Sequence, residues 1–144
     1  MKLRKIFFIA VIPFLLFACE KKFYYETGTF QGRSSDDRSG YGIVAIKIEE
    51  NQIVDCQYDM CLRDGAIKNE DYGKVNGEMR NRPYYEKAQF ALKAGAAYAK
   101  QLLEVQKPSK VDAVSGATIA YNQFLEALDE ALEKAKRKEP KDQN

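Results

Sequence analysis

Hydrophobic and polar residues alternate twice in the first half of the chain. Val44, Ile46 and Ile48 share one face of residues 41–49, and the pattern resumes at residues 53–60. A period of two marks half-buried strands. The connection Glu49-Glu50-Asn51-Gln52 has hairpin length, although no glycine follows Asn51. Residues 27–32 read as a first strand and residues 34–40, Ser-Ser-Asp-Asp-Arg-Ser-Gly, as turn material. Residues 64–82 are polar, with Gly65, Gly73 and Gly77, and read as a loop with a short helical turn. The period then changes. Ala88, Leu92, Gly95, Ala99 and Leu102 line one side of a helix at residues 84–103, and Phe124, Leu128, Ala131 and Ala135 one side of a second at residues 119–136. No internal repeat is visible. The pattern predicts a single α+β domain, an antiparallel sheet packed against two helices, with Val44, Ile46, Val54, Leu92, Phe124 and Leu128 buried together.

The N-terminus follows another logic. Lys2, Arg4 and Lys5 precede an uncharged apolar run of twelve residues, 6–17. That is shorter than the ~20 residues of a membrane span and fits the core of an export signal. The run ends in Leu16-Phe17-Ala18-Cys19, which resembles a bacterial lipobox with Cys19 as the lipidated residue; an uncleaved N-terminal anchor is the alternative. Either way the chain is expected to be exported and tethered to a bacterial membrane. Several acyl chains on one cysteine would anchor firmly where one alone is marginal. The expected organisation is an export signal at 1–18, a tether at 19–26, one domain at 27–137 and a polar tail at 138–144.

Removing the signal lowers the basic count from 23 to 20 against 21 acids, so the mildly basic balance belongs partly to the export segment. The cluster Lys134 to Lys138 sits in the last turns of a helix, where cations complement the dipole, and no nucleic-acid partner is implied. Histidine is absent, which removes histidine general bases and histidine-ligated metals. With Cys19 lipidated, Cys56 and Cys61 remain. Without histidine they make a poor zinc site. Cys56 shares the face of Val54 and Tyr58 and reads first as a small core residue, with a disulfide to Cys61 as the alternative.

The most informative segment lies before the last helix: Asp112-Ala113-Val114-Ser115-Gly116-Ala117-Thr118, preceded by the helix-breaking Lys107-Pro108-Ser109-Lys110. Ser115 is a good N-cap, which would start the helix at Gly116 and put Thr118 in its first turn. A phosphate on Thr118 would meet the unpaired N–H groups and the positive end of the helix dipole. Gly116 and Ala117 would keep the turn low beneath a bulky group. Read alone, the segment is also an ordinary capped helix start.

The whole heptad resembles the flavinylation motif of FMN-binding domains, in which a flavin transferase joins FMN to the threonine hydroxyl through a phosphoester. The resemblance covers roughly residues 27–135. It extends to the order of strands, to the run Asp64-Gly65-Ala66-Ile67-Lys68-Asn69-Glu70-Asp71-Tyr72 and to Met79. This arrangement looks like a lipoprotein subgroup of that family, one that includes spirochaetal membrane immunogens and flavoproteins of extracellular electron transfer. Where members often carry a tryptophan before the second strand, this chain has Tyr41. The resemblance implies FMN on Thr118, with Ser115, Gly116, Ala117 and Asp112 as surrounding motif residues. It implies a flavin transferase as partner, Asp112 as part of what that enzyme recognises, and an electron carrier that is no enzyme itself. Tyr72 and Met79 are candidates for the ring wall, Lys68 for a charge favouring the reduced anionic flavin, and Asp64 for a bond to the ring's polar edge. An exposed polar loop or packing outside the main core accounts for these four as well. Two other classes stay open: a structural or antigenic surface lipoprotein, and a module holding a ligand noncovalently between sheet and helices.

Overall fold

The computed structural model describes residues 24–137. Cys19, the export segment and the tail from Lys138 lie outside the described residues. Three antiparallel strands run in the order β1 (Gly28–Arg33), β2 (Tyr41–Glu49), β3 (Gln52–Cys61). Helix α1 (Arg82–Val105) packs on β3, and α2 (Thr118–Ala135) packs on β1 and β2. The domain is the expected α+β sheet under two helices. Val44, Ile46, Phe124 and Leu128 are wholly buried at its centre with Tyr98 and Leu102.

Local chemistry explains the connections. Glu50 and Asn51 both take positive φ, 48° and 64°, so the β2–β3 hairpin turns through two left-handed residues without glycine. Asn51 tolerates this conformation, and its Oδ1 accepts from the Tyr25 N–H at 2.8 Å. Helix α1 is capped by Asn81, whose side chain accepts from the Tyr84 N–H, with Pro83 in its first turn. It ends at a left-handed Gln106, whose amide side chain bonds both the N–H and the carbonyl of Ile53 at 2.9 Å. At the other edge of the same face, α2 lies so close to β1 that a Cβ on Gly32 would stand 2.0 Å from the Ala127 carbonyl oxygen.

Three expectations need correction. Val54 is 45% exposed. Between Lys47 and Ile48 the register shifts, pairing Ile48 with Ile53 but Lys47 with Asp55, so Val54 is the extra residue of a bulge. A bulge inverts the facing of the residues beyond it, and Ile53 points inward together with Cys56, Tyr58 and Met60. Leu92 is only partly buried, because it borders a cleft and not the centre of the core. Ser115 does not cap α2. The helix starts at Thr118, behind Ala117, and no side chain caps it. Val114 to Ala117 forms a tight turn closed by Ala117 N–H to Val114 C=O at 3.0 Å. Gly116 takes φ +87° in that turn, a conformation no right-handed helix accommodates. Cys56 and Cys61 are both free thiols. Five residues apart on one strand, they face opposite sides of the sheet, which excludes a bridge between them.

Candidate functional site

Thr118 occupies the first position of α2, exposed to solvent. Its hydroxyl has no hydrogen-bond partner among the described residues. Uncapped, the first turn of α2 offers N–H groups without intrahelical acceptors beside that hydroxyl. The segment before it exposes Asp112, Ala113 and Ser115, buries Ala117 and has its backbone fixed. Gln101 Oε1 accepts from the Asp112 N–H at 2.8 Å, and the Tyr98 hydroxyl accepts from the Val114 N–H at 3.2 Å. Tyr121 donates to the Val111 carbonyl at 2.9 Å. Tyr98 is completely buried, and its ring meets Tyr121 edge-on at 5.3 Å. The motif is therefore braced by both helices.

Thr118, with Gly116 and Ala117, lines a groove of about 320 Å³. The groove shares Lys87, Ala91, Ile119 and Ala120 with a larger cleft of about 480 Å³ between the helices and the end of β3. That volume is in the range of small-molecule sites. Met60, Leu62, Ala88, Ala91, Leu92 and Ile119 give the cleft an apolar wall, and Tyr72 and Tyr84 add aromatic rings. Burial pushes the Tyr72 phenol up to about 12, with Tyr84 adding to the rise, so it stays un-ionised.

The segment carrying Tyr72 is held in place by α1. Gln89 donates to the carbonyls of Asn69 and Tyr72, and the Tyr85 hydroxyl donates to the Glu70 carbonyl. Lys68 is pinned through its N–H to the Met60 carbonyl at 2.8 Å. Its side chain is buried to 8% exposure and stands 4.9 Å from the Tyr72 ring centroid. Burial lowers its pKa, with Asp37 and Cys61 opposing that shift. On the far wall Gln123 donates to Asp37 Oδ2 and to the Gly40 carbonyl, which fixes the turn bearing Arg38 and Ser39.

Three cations, Arg38, Lys68 and Lys87, border the cleft, and no carboxylate does. Among the described residues none of the three forms an ion pair, whereas seven pairs engage cations elsewhere. An apolar cleft with unpaired cations suits a planar anionic ligand.

The structure thus brings together Lys68, Tyr72, Gly116, Ala117 and Thr118 on the cleft and its groove. Asp112 and Ser115 are exposed on the adjoining segment and line neither. Met79 is 43% exposed and does not line the cleft, and exposed Asp64 accepts from the Ala66 N–H in its own turn. Lys87, Tyr84, Arg38 and Ile119 escaped the sequence reading. Tyr84, Lys87, Ala88 and Ala91 do recur at helical spacing, a stripe that pointed to one surface of α1. Nothing in the sequence placed Arg38.

Residues 37–133 match the family of FMN-binding domains. The chain belongs to that family. FMN is accordingly its cofactor, and the cleft fits it, with apolar walls for the ring and unpaired cations for its negative charge. No curated protein matches the sequence. The fold is similar to the crystal structure of a Clostridium perfringens protein, at 22% identity and a TM-score of 0.56, covering 77% of this chain and 88% of that one. A solution structure of a Clostridium thermocellum protein gives 24% identity and a TM-score of 0.46, covering 79% and 95%. Among the described residues there is no cluster fit to hold a metal ion, and no helix is long and apolar enough to cross a membrane.

Proposed function

We propose that this protein is an exported electron carrier, anchored through lipid on Cys19, that bears FMN on Thr118 as a phosphoester. The observation that carries the reading is the position of Thr118. Its uncommitted hydroxyl heads α2 in a groove that opens into the flavin-sized cleft. Attachment would be catalysed by a separate flavin transferase using FAD. The threonine oxygen forms a bond to the FMN phosphorus, the diphosphate bond breaks, and AMP leaves with the hydroxyl proton released to solvent. The product phosphodiester would lie among the free N–H groups of α2, with Lys87 beside it. A covalent tether suits an exported carrier, because a dissociated flavin would be lost by dilution. The ring would relay electrons, with the cleft setting its electronic surroundings.

Co-expression with a flavin transferase, followed by denaturing gel fluorescence and peptide mass spectrometry, tests the site. The wild-type Thr118 peptide is expected to carry FMN. Thr118→Val keeps the shape, loses the nucleophile and should stay dark. Fluorescence persisting in Thr118→Val, or an unmodified wild-type peptide, refutes the attachment. Flavin that co-purifies but is lost on denaturation would point to noncovalent binding. For the anchor, fatty-acid labelling should disappear in Cys19→Ala, and equal label in both proteins would refute it.

A further inference from the structure

The cleft holds more positive charge than an oxidised, uncharged flavin ring needs. Lys68 is the unusual member: the residue is 8% exposed, and its ammonium has the Tyr72 ring 4.9 Å away but no ion pair among the described residues, which is costly unless an anion joins it. The groove at Thr118 accounts for the phosphate and adjoins Lys87. Lys68 lines only the cleft, with Tyr72, away from that groove. The negative charge it awaits is therefore on the ring. Resting on attachment at Thr118, we propose that Lys68 faces the pyrimidine edge of the flavin and makes reduction a two-electron, one-proton step. The ring gains two electrons and takes one proton at N5. The remaining negative charge stays on the N1 and C2-carbonyl edge, offset by the ammonium, and N1 is left unprotonated.

The groups around Lys68 are consistent with this sign. Asp37, on the β1–β2 turn, is the carboxylate that acts on it, but it is engaged by Ser39 and Gln123. From β3, Cys61 keeps its proton because burial raises its pKa. Arg38 on the turn and Lys87 on α1 add positive charge, Tyr72 and Tyr84 are phenols, and α2 contributes the neutral Gln123. A negative ring edge would also offset the cost of burial that lowers the Lys68 pKa.

The test is potentiometry of the flavin-loaded protein from acid to alkaline pH, with dithionite as reductant and loading verified by mass. One proton per two electrons makes the equilibrium change tenfold per pH unit, about 30 mV, and two protons a hundredfold, about 59 mV. Lys68→Met removes the charge at similar length and relieves a buried cation, so it is expected to fold; Lys68→Gln repeats the test with a polar side chain. In both, the break between the two slopes should move up by about one pH unit. Their potentials should match wild type on the acid side and fall tenfold in equilibrium constant, about 30 mV, on the alkaline side. Lys68→Arg should restore the wild-type curve. Superimposable curves for loaded wild type, Lys68→Met and Lys68→Gln overturn the proposal and leave the attachment standing. A wild-type mass without flavin overturns both.

Discussion

Tyr98→Phe isolates one hydroxyl. The ring contacts that remain, to Tyr121 at 5.3 Å and to Phe124 at 5.8 Å, are the same for phenylalanine. The substitution removes the acceptor for the Val114 N–H at 3.2 Å and a long donation to the Ala117 carbonyl at 3.5 Å. The second is too long to count for much. The first leaves a part-buried N–H without its acceptor, a loss of about 1–2 kcal/mol. For a domain of this size that lowers the melting temperature by roughly 4–8 °C. The damage should be local. Hydrogen exchange at the Val114 amide should accelerate about tenfold, since 1.4 kcal/mol is a factor of ten, while amides in the middle of β2 respond only to the global change. Transfer of flavin to Thr118 should slow as well, because the turn that presents it is no longer tied to α1. Urea unfolding and exchange measured by NMR provide the assay. A stability change below about 0.5 kcal/mol together with unaltered Val114 exchange would show that the hydroxyl does not hold the motif.

The bulge at Val54 is tested by a pair of substitutions: Val54→Thr should stay within about 0.5 kcal/mol of wild type, whereas Ile53→Ala should cost about 2–4 kcal/mol. Equal costs in chemical denaturation would contradict the inverted facing. Burial, and secondarily Asp55, pushes the Cys56 thiol up to about 12 from an ordinary 9.0. The folded state therefore binds that proton more tightly than the unfolded one, and its stabilising contribution, full below pH 9, is lost as pH rises toward 12. Alkylation of Cys56 in the native protein should be slow at neutral pH and fast in denaturant; rapid native labelling would refute the burial.

Where sequence and structure part, a physical cause is identifiable. The strands, both helices and their buried stripes are legible because periods of 2 and 3.6 report directly on which side chains face the core. Alternation misplaces Val54 because a bulge costs one residue of register and leaves no mark in an alternating sequence. Ser115 resembles a cap because Ser followed by Gly satisfies the helix-start rule and a tight-turn rule equally well. The positive φ of Gly116 decides between them, and that is fixed by how the turn docks on Tyr98. The proposed attachment segment is contiguous in sequence and can be recognised there. The cleft is not contiguous: Arg38, Lys68 and Lys87 are separated by thirty and by nineteen residues and meet only through the fold. Pairing Lys68 with Tyr72 is within reach of a reading of one loop, while separating them from Met79 and Asp64 requires knowing which way that loop turns.

This split between contiguous and assembled residues bears on how the proposed carrier could be made and used. A segment modified by another enzyme must show its side chains, yet a floppy segment would meet that enzyme with an entropic cost on each encounter. Here Asp112, Ser115 and Thr118 are exposed while Gln101, Tyr98 and Tyr121 fix the backbone between them. Recognition by the transferase then needs only local sequence, so one transferase could serve many such domains whatever surrounds them. The surroundings of the ring are free to differ, because they come from the β1–β2 turn, the segment before α1 and the exposed face of α1. On the proposed reading, attachment is encoded in seven consecutive residues and redox character in scattered ones. Substitutions at Arg38, Lys68 or Lys87 should consequently retune the potential without changing whether Thr118 is modified.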